Sequence, residues 1–153
     1  MLELHFGVIE QPYSTLAGFK SNVDLTTGDV AEFLEAKYHP FEIFFELHAD
    51  EIGEYMAEAL AGAVKTFLET GVSPINPLAQ SESSIKAAFE KFLSEGELET
   101  LGFSGIPTQA AIEGRSHRFA KGRKPQRRVS LIDTGLFQTS SYMWFSGINS
   151  VRS

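Results

Sequence analysis

From Phe41 to Leu68 apolar residues recur at helical spacing: Phe44, Phe45, Ile52, Tyr55, Met56, Ala59, Leu60, Ala63, Val64, Phe67 and Leu68. His48 fills the one gap. A strand accounts for "FEIFFEL" alone but not for a 3.6-residue period carried to residue 68. The spacing therefore predicts one long helix. Pro40 suits its first turn, where no amide hydrogen is needed, and Gly71 suits the left-handed position after Thr70. Glu42, Glu46, Asp50, Glu51, Glu54 and Glu58 take the remaining positions. The expected picture is a core-facing stripe with a solvated acidic face, in which His48 is a partly buried packing residue.

Other elements follow from local signals. Leu2, Leu4, Phe6 and Val8 alternate as in a strand, and Gln11-Pro12-Tyr13 ends it. "TTGDVAEFLEAKY" reads as a short helix with Thr26 and Asp29 at capping-box spacing and with Val30, Phe33, Leu34 and Tyr38 on one face. His39-Pro40 stops it, because a residue before proline avoids the helical region. After the loop "SPINPL", a second helix is expected from about Ser83 to Ser94. Ser81 or Ser83 would cap it, Ile85, Ala88, Phe89 and Phe92 would be buried, and Gly96 would end it. Thr108 is positioned to cap a short helix through Ala110, Ala111 and Ile112. Val129–Ile132 and Leu136–Phe145, rich in β-branched and aromatic residues, predict strands or a hairpin. Residues 146–153 read as a tail, and residues 1–153 as a single domain without repeats.

Charge is unevenly placed. The 153 residues carry a net −7, but residues 1–113 hold 19 acids against 5 Lys/Arg, a net −14. Residues 114–128, "GRSHRFAKGRKPQRR", hold seven Lys/Arg and no acid. With no apolar period, two glycines and a proline, this segment predicts an exposed basic loop or arm. It offers three readings: phosphate contact, a solvated loop, or docking on an acidic partner surface. The acidic remainder disfavours a dedicated DNA-binding domain, since it repels a polyanion unless the two faces are well separated.

Composition narrows the class further. Hydrophobic residues at 42% and charged residues at 22% mark a globular chain. There is no cysteine, so disulfides and thiolate metal sites are excluded and a reducing compartment is the natural setting. The N-terminus lacks a basic head and apolar run, which predicts no secretory signal. The longest uncharged stretch, Thr134 to Val151, is too polar to span a bilayer, so a soluble chain with no membrane role is expected. His5, His39, His48 and His117 show no metal-site spacing with one another. No phosphate loop and no serine nucleophile stands out, and no metal or cofactor is expected.

Asp133-Thr134-Gly135 also occurs at the catalytic turn of aspartic proteases. Such an enzyme needs two aspartates sharing a proton, which a single-copy chain supplies only as a homodimer. Here just 18 residues follow Gly135, and Leu136 stands where a small residue normally sits. The structural reading is better motivated. Asp133, and more weakly Thr134, accepts backbone N–H groups just ahead. Gly135 permits a positive φ, Phe137 enters the core, and Ser140 returns a hydroxyl to the turn.

The segment "GIPTQAAIEGRSHRFAKGRKPQRRVSLIDTGLFQTSSYMWF" resembles small virion proteins of tailed bacteriophages. These carry an apolar-apolar-Asp-Thr-Gly-x-apolar-x-x-Ser signature after a basic, proline-containing stretch. Here it falls on Leu131, Ile132, Asp133, Thr134, Gly135, Phe137 and Ser140, and "GIPT" is similar to a block of phage structural proteins. The resemblance covers residues 100–145 by motif and 40–95 by pattern. It implies an α+β fold, a long amphipathic helix and a second helix packed on a small antiparallel sheet, with an exposed basic arm. It implies a non-enzymatic role in the virion, assembled in the host cytoplasm, as an oligomeric ring at the head-to-tail junction (neck or tail completion). Partners would be further copies and connector, tail-terminator or tail-tube proteins, with DNA contact secondary. The signature residues are then fold markers. One acidic face and one basic arm are complements for a head-to-tail contact, so Arg115, Arg118, Lys121, Arg123, Lys124, Arg127 and Arg128 are expected to touch a neighbouring subunit or another virion protein. The alternatives are a nucleic-acid-binding module using the arm and a dimeric aspartic peptidase.

Overall fold

A computed structural model describes residues 1–15, 25–114, 127–131 and 135–147. The fold is α+β. Among the described residues the order is strand β1 (Glu3–Val8), a 3-10 turn at Tyr13–Thr15, helices α1 (Thr27–Tyr38), α2 (Pro40–Thr70), α3 (Ala79–Glu95), α4 (Glu97–Thr100), α5 (Gln109–Glu113) and α6 (Leu136–Ser140), then strand β2 (Ser141–Ser146). No helix among these residues is long and apolar enough to cross a membrane.

The long helix has the expected bounds. Pro40 occupies its first turn, and Gly71, at φ 72°, donates its N–H to the Phe67 carbonyl. His39 closes α1 and opens α2 in the left-handed region (φ 50°, ψ 44°) rather than in the extended one. Its N–H caps α1 on the Glu35 carbonyl at 3.1 Å. Glu35 then reaches past it to accept the N–H groups of Phe41 (2.9 Å) and Glu42 (3.3 Å), which a helix start otherwise leaves unpaired. The capping box of α1 forms as read: the Thr26 hydroxyl accepts the Asp29 N–H and the Asp29 carboxylate accepts the Thr26 N–H. The Thr26 N–H, and with it the Thr26 hydroxyl at 3.0 Å, hold the Asp29 carboxyl below its usual range.

An aromatic cluster forms the centre of the core. Phe44, Phe89 and Phe92 are fully buried. Phe41 stacks on Phe89 at 4.8 Å, Phe44 meets Phe89 edge-on at 5.2 Å, and Phe137 closes on Phe41 at 6.0 Å. Offset and edge-on pairs of this kind are each worth about 0.5–1.5 kcal/mol beyond burial. The sheet lies against this cluster. β1 and β2 run antiparallel in the register Leu4↔Phe145, Phe6↔Met143 and Val8↔Ser141 on the inner face, with His5↔Trp144 and Gly7↔Tyr142 on the outer. Glu82 of α3 accepts the Phe145 N–H at 3.0 Å, tying helix to strand. At Gly147, just past β2, φ is 80° and a Cβ would collide with the Met1 carbonyl oxygen, so only glycine fits.

Four expectations are corrected. First, Leu136–Phe145 is not one strand. Its first half, "LFQTS", turns into α6, where Thr139 donates its N–H to the Gly135 carbonyl at 3.0 Å. Phe137 and Ser140, three apart, are both buried on this turn. Only "SYMWFS" is a strand; its partner is β1, and residues 129–131 form none, so the described residues make no hairpin there. Ser146 accordingly belongs to β2 rather than to a tail. Second, α3 starts at Ala79, and neither Ser81 nor Ser83 caps it. Ser81 is buried with its hydroxyl donating to the Leu78 carbonyl. The Asn76 side chain accepts the Leu78 N–H at 3.0 Å and donates to Glu82 at 3.1 Å instead. Third, Phe33 is exposed, with the Lys37 ammonium 5.5 Å from its ring. Fourth, the stripe on α2 is core-facing only in part. Beyond Ala59 no residue of α2 is buried, and Leu60, Val64, Phe67 and Leu68 are exposed.

Candidate functional site

The signature corner is described from Gly135 onward; Ile132, Asp133 and Thr134 lie outside the described residues. Leu131 adopts a positive φ of 67° and is half-buried against the core. Gly135, at φ 77°, precedes the first residue of α6. Phe137 enters the core as expected, 3% exposed. Gln138 donates to the Glu90 carbonyl at 2.6 Å, so the corner is pinned to α3. The Ser140 hydroxyl is buried and has no hydrogen-bond partner among the described residues. The described members of the signature thus pack or turn the chain.

Of the seven basic arm residues, Arg115, Arg118, Lys121, Arg123 and Lys124 lie outside the described residues. Arg127 and Arg128 lie at the segment's end, and the body of the same chain holds that end. The Arg127 guanidinium donates to Glu99 at 3.2 Å, and the Arg128 N–H donates to the Ala111 carbonyl at 3.1 Å. Glu99 also accepts the Ser130 hydroxyl at 2.7 Å and the Ser130 N–H at 2.8 Å. Burial pushes the Glu99 carboxyl up, but the two Ser130 donors and Arg127 outweigh it and hold the group below its usual range. The Ser130 oxygen in turn accepts the Thr108 N–H at 3.0 Å, at the start of α5, where the Thr108 hydroxyl caps the helix by accepting the Ala111 N–H. Glu99 carried no sequence signal beyond its charge, since its partners lie 28 and 31 positions away.

His48 is half-buried, as expected, but it is more than a packing residue. Its backbone leaves helical geometry (φ −108°, ψ 16°), which kinks α2. Its ring stacks on Phe44 at 4.7 Å, with Nδ1 2.7 Å from Glu51 and Nε2 3.1 Å from Glu97. The Tyr55 hydroxyl donates to Glu51 at 2.5 Å. That contact, followed by His48, holds the Glu51 carboxyl below its usual range, and it pushes the Tyr55 phenol up to about 12. Two carboxylate partners for the ring, one of them also held by Tyr55, and no bonded nucleophile among the described residues make this a clamp across the kink, joining α2 to α4.

A group of metal-ligand type, Glu35, His39 and Glu42, is gathered where α1 meets α2. Both Glu35 oxygens are already committed to helix N–H groups, and the His39 ring is 3.0 Å from Glu42. Helix capping accounts for the cluster.

The outer face of the sheet was not foreseen. His5 stacks on Trp144 at 5.1 Å, and Trp144 on Tyr142 at 5.7 Å, giving three near-parallel rings on the outer face of the sheet, with Tyr142 and Trp144 exposed. Gly7 lies beneath the indole, where a Cβ would come within 3.1 Å of it. The signal was present in "SYMWFS", whose inward (Met143, Phe145) and outward (Tyr142, Trp144) positions are both apolar or aromatic. A half-solvated strand alternates instead. Comparison with protein-family models, curated proteins and solved structures gives no match.

Proposed function

We propose that this chain is a structural virion protein of a tailed bacteriophage, a non-enzymatic subunit of an oligomeric ring at the head-to-tail junction. The observation that carries the reading is the outward aromatic face of the sheet. His5, Trp144 and Tyr142 form a flat ring stack with Trp144 and Tyr142 exposed. Aromatic side chains grouped on an open face are the composition of interface anchors. The signature resemblance supplies the kind of assembly. The charge split between an acidic body and residues 114–128 supplies a second, complementary patch of the sort that head-to-tail closure needs.

The test is complementation of particle assembly with the double variant Tyr142→Ser, Trp144→Ser, whose folding is checked by circular dichroism. The expected result is a folded chain that fails to join heads to tails and forms no ring by electron microscopy. Normal particles from the double variant would overturn the proposal. Asp133→Asn separates the peptidase alternative: full assembly function in that variant excludes acid–base chemistry at Asp133.

A further inference from the structure

We infer that the exposed side of α2 is a self-complementary surface on which a second copy of the chain packs its own α2 antiparallel, about a two-fold axis between Leu60 and Ala61. The outward seam of this helix runs Gly53, Ala57, Leu60, Ala61, Val64 and Leu68, spaced three or four apart save for the adjacent central pair, and all six are exposed. Leu60 is 44%, Val64 58% and Leu68 77% exposed. A solvated helix face is ordinarily polar.

The order of residues along the seam identifies the occupant. Its N-terminal end is small (Gly53, Ala57) and its C-terminal end large (Val64, Leu68), and at the centre Leu60 stands beside Ala61. Reversing the helix about the Leu60–Ala61 midpoint sets Leu68 over the partner copy's Gly53, Val64 over its Ala57, and Leu60 over its Ala61. Every large side chain then meets a small one, as interdigitated packing requires. A parallel partner would set Leu68 against Leu68 and Gly53 against Gly53. Gly53 itself fits this reading. It lies inside a helix, where glycine is unfavourable relative to alanine, and a Cβ there would meet nothing within 4 Å. The close approach of another helix is a reason for it that the described residues do not supply.

Charge on the flank agrees. Glu54, Glu58 and Lys65 share the same side of the seam and are exposed. Among the described residues Lys65 has a loose, exposed pairing with Glu69 at 3.9 Å. A two-fold axis brings like flank to like flank, so Lys65 falls between Glu54 and Glu58 of the other copy, and the reverse. The helix segment is about 24 Å long. It covers less than the ~800 Å² per partner of a standard interface, so the pair is reversible. A closed two-fold contact on α2 is separate from the sheet face invoked for a ring, and each stands or falls alone.

The experiment uses the full chain in sedimentation-velocity runs over roughly 5–200 µM, a range that brackets a weak dimer. The expected result is a monomer–dimer equilibrium that Leu68→Glu weakens at least tenfold. Lys65→Glu should weaken it too, and Glu54→Lys with Glu58→Lys in the same chain should restore it. The chain lacks cysteine, so introduced thiols report the geometry directly. Ala61→Cys, next to the axis, should oxidise to a covalent dimer. Leu68→Cys should not, because its copies lie about 22 Å apart in the antiparallel pair. A parent chain that remains monomeric throughout, or equal cross-linking at both positions, overturns the inference.

Discussion

Replacing Glu99 with alanine is expected to unfasten the end of the basic segment from the body, at a cost that follows from three contacts. The Ser130 hydroxyl and N–H both donate to this carboxylate, at 2.7 and 2.8 Å, and Ser130 is only 4% exposed. Each donor left without an acceptor in such a place costs about 1–3 kcal/mol. The third contact, from Arg127, is two-thirds exposed and adds ~0–1 kcal/mol. The expected loss is therefore about 2–7 kcal/mol, read from the midpoint and slope of urea unfolding near neutral pH. Glu99→Gln, which keeps an acceptor but not the charge, should lose about half as much. Acidity supplies an independent check. The carboxyl is held below its ordinary 4.5 in the folded chain, so its contribution is complete above that value and is lost as pH falls through the folded value. The gap between parent and Glu99→Ala should narrow steadily on acidification. A double-mutant cycle with Ser130→Ala should show coupling of about 1–2 kcal/mol. The reasoning is refuted if Glu99→Ala costs no more than about 0.5 kcal/mol, the level of an ordinary surface change, or if the two substitutions simply add.

Two further outcomes are expected. Phe89→Ala empties the centre of the aromatic cluster and should cost about 3–5 kcal/mol, enough to leave a domain of ordinary stability partly unfolded, as thermal melting would show. Tyr55→Phe removes the hydroxyl that chiefly holds Glu51 low. The Glu51 carboxyl should then titrate closer to its ordinary 4.5 by carbon-detected NMR, and the stability lost on acidification should shrink, because a depressed carboxyl stabilises only above its folded value.

The elements whose ends carry their own chemistry were legible in the sequence. Pro40 and Gly71 bracket α2, and Thr26 with Asp29 starts α1, because caps and backbone restrictions act within one turn. What failed was set by distant parts of the chain. Nothing inside "LFQTSSYMWFS" states that its second half will pair with residues 3–8, or that its first half will coil against α3 through Gln138. The start of α3 was missed because no side chain caps it; Asn76 instead holds the turn that leads into the helix by accepting the Leu78 N–H. The α2 stripe shows a different limit. A period reveals which residues share a side of the helix, not whether anything covers that side, and past Ala59 nothing in the described chain does. Of the candidate site, Gly135 and Phe137 were placed correctly. Glu99, the His48 clamp and the His5–Trp144–Tyr142 stack depend on partners tens of positions away or more.

The sheet joins the two extremes of the described chain: His5 and Ser146 meet across 141 positions. Closing so long a loop costs entropy before any ladder bond returns it, and distant pairings of this sort slow folding. On a ribosome, residues 3–8 wait unpaired until residues 141–146 have been made. The aromatic platform on the outside of the sheet therefore comes into being only after β2 has been made, so a surface that recognises it passes over any fragment that stops short of residue 146.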